Sequence, residues 1–103
     1  QAEAFCRKIF EIRQQILGEE HPDTTTSLNK IALLTKRQLR YDEAETLYRK
    51  LFTIYEKCRR YNEAIDCLES LVEITAAQGR KEVAQALEEK ADLLRETVST
   101  ALI

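Results

Sequence analysis

Apolar residues recur at three- and four-residue steps in five successive stretches of similar length, and this pattern constrains the fold more than any other feature. Phe5, Ile9, Ile12 and Ile16 make the first stripe, widened by Cys6 and Phe10. Leu28, Ile31, Ala32, Thr35 and Leu39 make the second, with Leu34 beside it. Ala44, Leu47, Tyr48, Leu51, Phe52 and Tyr55 make the third. The fourth runs through Ala64, Ile65, Leu68, Leu71, Val72 and Thr75, and the fifth through Val83, Ala84, Leu87, Ala91, Leu94 and Val98. Such a period belongs to helices buried on one side, and no segment alternates as a strand does. Two glycines and one proline in 103 residues leave few helix breakers. The spacing predicts an all-α chain, a single domain over 1–103, with helices over about 2–17, 24–38, 43–57, 62–78 and 81–100.

The breaks between stripes carry stop and start signals. Gly18 follows the first helix and Gly79 the fourth, where a left-handed residue commonly ends a helix. Pro22 pushes His21 out of helix and opens the second, for which Asp23 or a following threonine is the expected cap. Thr24, Thr25 and Thr26 suit a first turn better than a helix interior. Asp42, with Glu45 at the capping-box position, is the expected cap of the third helix and Asn62 that of the fourth.

Helices of similar length invite a search for internal repeats. Tyr41-Asp42-Glu43-Ala44 matches Tyr61-Asn62-Glu63-Ala64 at a shift of 20 (from 41 to 61), and Leu51, Phe52 and Ile54 map onto Leu71, Val72 and Ile74. The run Leu28-x-x-Ile31-Ala32, followed by Tyr41, Ala44, Tyr48 and Leu51, resembles the tetratricopeptide repeat. In that family Ala32 and Ala44 would stand where the two helices of a hairpin cross closely, and Tyr48 at the large aromatic position. Leu28 replaces the usual Trp, Ala32 the usual Gly, and Glu56 the usual Pro. Leu17-Gly18-Glu19-Glu20-His21-Pro22-Asp23-Thr24, then Ser27-Leu28-Asn29-x-Ile31-Ala32, resembles the kinesin-light-chain type of repeat, strongly over 2–57 and weakly over 58–103. The resemblance implies an α-solenoid of antiparallel helix hairpins. It also implies an irregularity near 57–60, where a first helix and its preceding loop are expected and the chain instead begins another Tyr-Asn-Glu-Ala. A missing half-repeat, a sequence joined across absent residues, and a swapped or fused helix over 43–78 all accommodate this.

Charge and chemistry narrow the function. Sixteen basic and 18 acidic residues leave a net charge of −2, which speaks against a nucleic-acid binder and against a polybasic membrane anchor. No apolar run approaches the roughly 20 residues that cross a bilayer, and the opening residues have no signal-peptide pattern. Cys6, Cys58 and Cys67 are odd in number and form no C-x-x-C, which implies a reducing, cytoplasmic setting rather than a disulfide framework. His21 is the only histidine, so neither a metal site nor a cysteine–histidine nucleophile pair is expected. The two glycines are far apart and form no phosphate loop. The expectation is a non-enzymatic chain without cofactor or metal.

Stacked helix pairs expose a concave face lined by the first helix of each pair. By the resemblance, the positions facing that groove on the second helix are Thr26, Asn29, Leu33, Lys36 and Arg37. Their spacing puts them on one helical face. Asn29 offers a donor and an acceptor to a peptide backbone, Lys36 and Arg37 suit an acidic side chain or a terminal carboxylate, and Leu33 an apolar one. The corresponding face of the fifth helix, Gln85, Glu88, Asp92, Arg95 and Glu96, is acidic. The expected partner is a protein or peptide. The alternative is structural self-association into a homo-oligomer, for which the apolar run Ala101-Leu102-Ile103 is the motive.

Overall fold

The computed structural model describes residues 2–101. Five helices follow in order: α1 (Ala2–Leu17), α2 (Pro22–Arg37), α3 (Tyr41–Lys57), α4 (Tyr61–Ala77) and α5 (Lys81–Ala101), with no strand among the described residues. Leu102 and Ile103, two of the three residues of the apolar run, lie outside the described residues. The fold is an all-α helical repeat. The chain forms two compact units, Gln1–Leu47 and Tyr48–Ile103.

In the first unit α1 packs against α2. Gly18, at φ 89°, ends α1, and its N–H donates to the Gln14 carbonyl at 3.1 Å. The cap of α2 is His21 rather than Asp23 or a threonine: its Nδ1 accepts the Asp23 N–H at 3.0 Å. Pro22 therefore stands at the first helical position, where its missing N–H costs nothing. Thr24 and Thr25 are fully buried in this first turn. Their hydroxyls are satisfied by backbone, Thr24 donating to the Arg13 carbonyl at 3.3 Å and Thr25 to that of Pro22 at 3.0 Å. Leu28, Ile31, Ala32 and Thr35 continue the buried face.

Four charges close a ring in this unit. Arg7 Nε donates to Glu3 at 3.0 Å and a second Arg7 nitrogen pairs with Glu43. Arg40 pairs with Glu3 at 2.6 Å and with Glu43. The ring ties α1 to the first turn of α3 and to the turn before it. Arg40 and Arg7 beside Glu3 hold its carboxyl below the usual value.

In the second unit α4 packs against α5. Ala64, Cys67, Leu68, Leu71, Ile74 and Thr75 of α4 are buried, as are Ala84, Leu87 and Ala91 of α5. Lys90 lies 4.7 Å from the ring centre of Phe52, and Arg60 lies 5.0 Å from that of Tyr55. Both are within cation–π range.

The turns at 38–40, 58–60 and 78–80 share one geometry. The central residue is left-handed each time: Leu39 at φ 62°, Arg59 at 61° and Gly79 at 75°. The next N–H reaches back across the helix end, Arg40 to Thr35 at 3.0 Å, Arg60 to Tyr55 at 2.8 Å and Arg80 to Thr75 at 2.9 Å. The left-handed N–H donates to Lys36, Glu56 and Ala76 respectively. These are paired Schellman bonds, which satisfy the last carbonyls of a helix. The carbonyls of Arg40, Arg60 and Arg80 then accept from Ala44, Ala64 and Ala84 at 3.0 Å and so start the next helix. One arginine thus closes one helix and opens the next, which leaves no place for a separate cap. Asp42 and Asn62 accordingly stand inside their first turns instead of capping them. The turn at 58–60 divides α3 from α4, so no fused helix over 43–78 forms.

Candidate functional site

On α2 the buried residues are Thr24, Thr25, Ser27, Leu28, Ile31, Ala32 and Thr35. The five positions expected to meet a partner avoid all of these. Thr26, Asn29 and Arg37 are exposed, and Leu33 and Lys36 are half-buried. At three- and four-residue steps they form a single strip along the helix. The strip is neutral at its N-terminal end and cationic at its C-terminal end, where Lys36 and Arg37 also sit favourably at the negative pole of the helix.

Thr26 belongs to a groove as well as to this strip. Together with Ser27 and Lys30 it forms the α2 side of a cleft of about 160 Å³. Phe5, Cys6, Ile9 and Arg13 form the α1 side. Arg13 is fixed in place, donating to Ser27 Oγ at 2.8 Å and to the Asp23 carbonyl at 3.3 Å. Periodicity predicts a core stripe on α1. In the structure α1 has no buried residue; Phe5 is 66% exposed and Ile16 75%. Periodicity shows that one face of a helix is apolar, and it is silent on whether a neighbour covers that face. Phe5 and Ile9 were thus missed as groove residues, although their position on the stripe was plain.

In the second unit the acidic positions of α5 are all exposed. Glu88, Asp92 and Arg95 line a shallow groove with Glu69 and Val72 of α4. Arg95 is engaged there, pairing with Asp92 at 2.8 Å and with Glu69. Asp66, on the same helix as Glu69, has its carboxyl raised above the usual value by burial and by the nearby Glu69 and Glu63.

The groups with catalytic potential are placed otherwise. Cys67 is buried, and burial pushes its thiol up to about 12, with Asp66 and Glu63 adding to the effect. That thiol stays protonated near neutral pH and is a poor nucleophile. Cys6 and Cys58 are half-buried. His21 spends Nδ1 on the α2 cap. Among the described residues no three His, Cys, Asp or Glu side chains converge as metal ligands, and no helix is long and apolar enough to cross a membrane.

No curated protein matches the chain. A family model of the tetratricopeptide repeat matches residues 1–57, the stretch that holds α1, α2, the Gly-to-Pro loop and α3. With more than half of the sequence matched and helical hairpins closed by repeated turns, the chain belongs to the tetratricopeptide repeat family.

Proposed function

We propose that the chain is an adaptor whose α2 strip, Thr26, Asn29, Leu33, Lys36 and Arg37, holds an extended peptide or a helix of a partner protein in the concave groove of the repeat. Tetratricopeptide repeats generally mediate protein–protein interaction, and the family is one of non-enzymatic scaffolds. The observation that carries the reading is the division of α2. Its fully buried face excludes the five residues, whose side chains are exposed or half-buried and so can reach a ligand. Asn29 would pair with peptide backbone, Leu33 would meet an apolar side chain, and Lys36 with Arg37 would meet a carboxylate. Binding rather than catalysis is also supported by the buried, protonated Cys67 and the capping role of His21. A reducing, cytoplasmic setting is supported by three cysteines without a disulfide.

The test is a pull-down comparing the wild-type chain with Asn29→Ala/Lys36→Ala, both confirmed as folded by circular dichroism. The reading expects a captured protein whose affinity for the variant falls at least about tenfold, as for the loss of one charge-assisted and one neutral hydrogen bond. Equal affinity in the folded variant removes the α2 strip as the site.

A further inference from the structure

We propose that the cleft between α1 and α2 is a receptor site for a phosphotyrosine side chain of a partner protein. At about 160 Å³ the cleft is well below the size of a site for a drug-sized ligand, and it suits a single side chain. Its wall on α1 is apolar, formed by Ile9 and by Phe5, which is 66% exposed. Arg13 and Lys30 are the charged residues that line it, and both are cations.

Neither cation meets a carboxylate among the described residues. Arg13 donates through Nη1 alone, to the Ser27 hydroxyl at 2.8 Å and the Asp23 carbonyl at 3.3 Å. These bonds to neutral oxygens hold the guanidinium in place. Its Nε–Nη2 edge has no partner among the described residues, and that edge can take two oxygens of one anion in parallel. Lys30, exposed on α2, supplies a second positive charge. One helical turn from the lining residues stand three more charged side chains, Glu3, Lys8 and Asp23. Glu3 is paired with Arg7 and Arg40, and Lys8 and Asp23 offset each other in sign. The charges of Arg13 and Lys30 are therefore uncompensated at one small cleft. A carboxylate answers one of them. A phosphate monoester carries about −1.5 to −2 charges at neutral pH and three acceptor oxygens, and so answers both. Thr26, exposed on the same cleft, adds a hydroxyl donor. Phosphotyrosine carries an aromatic ring and this dianion on one side chain. Its ring meets Phe5 and Ile9 while its phosphate pairs with Arg13 and Lys30; phosphoserine and phosphothreonine have no ring for the apolar wall. The site adjoins the α2 strip at Thr26 and stands without it.

The experiment is isothermal titration of the chain with the blocked peptide acetyl-Gly-Gly-phosphotyrosine-Gly-Gly-amide, up to about 1 mM, a span that covers weak single-site binding. The phosphopeptide is expected to bind at least about tenfold more tightly than the same peptide with tyrosine or glutamate in the central place, as for the loss of one charge-assisted hydrogen bond or more. Inorganic phosphate is expected to displace it only at about tenfold or greater excess, since it lacks the ring. Lys30→Gln removes one exposed cation, and Arg13→Lys keeps the charge but loses the planar fork. Circular dichroism checks that both fold, and each is expected to weaken binding at least about tenfold. Asn29→Ala/Lys36→Ala leaves both cleft cations in place and is expected to bind the phosphopeptide as the wild type does, which separates this site from the α2 strip. Absence of binding up to about 1 mM overturns the proposal. So does equal binding of the glutamate or tyrosine peptide, displacement by an equal concentration of inorganic phosphate, or undiminished binding by folded Lys30→Gln. Loss of binding in Asn29→Ala/Lys36→Ala would put the probe on the strip and overturn it as well.

Discussion

On α2 the buried residues are Thr24, Thr25, Ser27, Leu28, Ile31, Ala32 and Thr35. Forty positions on, from 24 to 64, α4 buries Ala64, Ile65, Cys67, Leu68, Leu71 and Thr75, so that only Ala32 lacks a buried counterpart. Thr35 and Thr75 are both fully buried, and each donates its hydroxyl to a carbonyl of its own helix, Ala32 and Leu71, at 2.8 Å. The outer faces differ. Thr26, Asn29, Leu33, Lys36 and Arg37 on α2 become Asp66, Glu69, Glu73, Ala76 and Ala77 on α4. Buried positions are limited by volume and by the need to satisfy polar groups, whereas exposed ones are free to change charge. In the proposed reading, a ligand accepted by Lys36 and Arg37 would be repelled by the carboxylates of α4, so selectivity resides in the outer strip and not in the frame.

The largest expected effect probes the frame. Ile31 and Leu71 are its matched pair, each about 1% exposed. Ile31→Ala and Leu71→Ala should each cost about 2–5 kcal/mol, the transfer term plus the cavity left behind. Urea unfolding followed by circular dichroism measures both. Similar costs support one frame used twice; a Leu71→Ala cost under about 1 kcal/mol would mean that α4 packs loosely and the match of burial is coincidental.

The turns allow a finer comparison, because identical hydrogen bonding is carried by Leu39, Arg59 and Gly79. A side chain in the left-handed region costs about 1–2 kcal/mol, partly offset in glycine by the greater freedom of the unfolded chain. Leu39 is 68% exposed, so its removal forfeits little packing. Leu39→Gly and Arg59→Gly should each stabilise by about 0.5 kcal/mol. Gly79→Ala should destabilise by about 1 kcal/mol, and this is a torsional cost alone, since a Cβ there meets nothing within 4 Å. Thermal melts of the three variants decide it. A stabilising Gly79→Ala would show that this turn is not equivalent to the other two.

These turns also show where reading the sequence stops. The existence of five helices follows from apolar periodicity, and the ends at Gly18 and Gly79 from the need for a left-handed residue. The match of Tyr41 through Ala44 with Tyr61 through Ala64 disclosed two turns of the set. The third, at 78–80, lacks the Tyr-x-Glu-Ala signature, since Lys81-Glu82-Val83 follows Arg80; its likeness lies in backbone hydrogen bonds and in Gln78, which accepts from Arg80 at 2.9 Å as Gln38 does from Arg40 at 2.7 Å. The caps at Asp42 and Asn62 failed for a related reason. Both residues have good capping side chains, but the arginine two positions before each already joins the two helices. At the candidate site, the strip on α2 was legible as a helical face. The contribution of Phe5 and Ile9 was not, because an apolar stripe reads the same whether it is covered or open. On α4, likewise, the Tyr-Asn-Glu-Ala start drew attention to its likeness to α3, while its burial pattern follows α2.

The smallest expected effect concerns charge, and here the two units should respond with opposite signs. Arg40 and Arg7 stabilise the charged form of Glu3, so its carboxyl lies below the usual value in the folded chain. Its contribution is present above the ordinary glutamate pKa and is lost as pH falls through the depressed folded value. Asp66 is the reverse, raised by burial and by Glu69 and Glu63. Its charge opposes folding above the raised folded value, and that opposition vanishes as pH falls below the ordinary aspartate pKa. At about pH 7, Glu3→Gln should therefore lower stability and Asp66→Asn should raise it. Asp66 is exposed and Glu3, though half-buried, pairs with arginines that are open to solvent, so both changes should be smaller than those at the turns. On acidification to about pH 3 the two differences from wild type should shrink toward zero from opposite sides. Urea midpoints for the two variants at both pH values measure this. If Asp66→Asn is destabilising at neutral pH, the carboxylates of α4 are held by cations rather than crowded against one another, and the electrostatic contrast between the two units disappears.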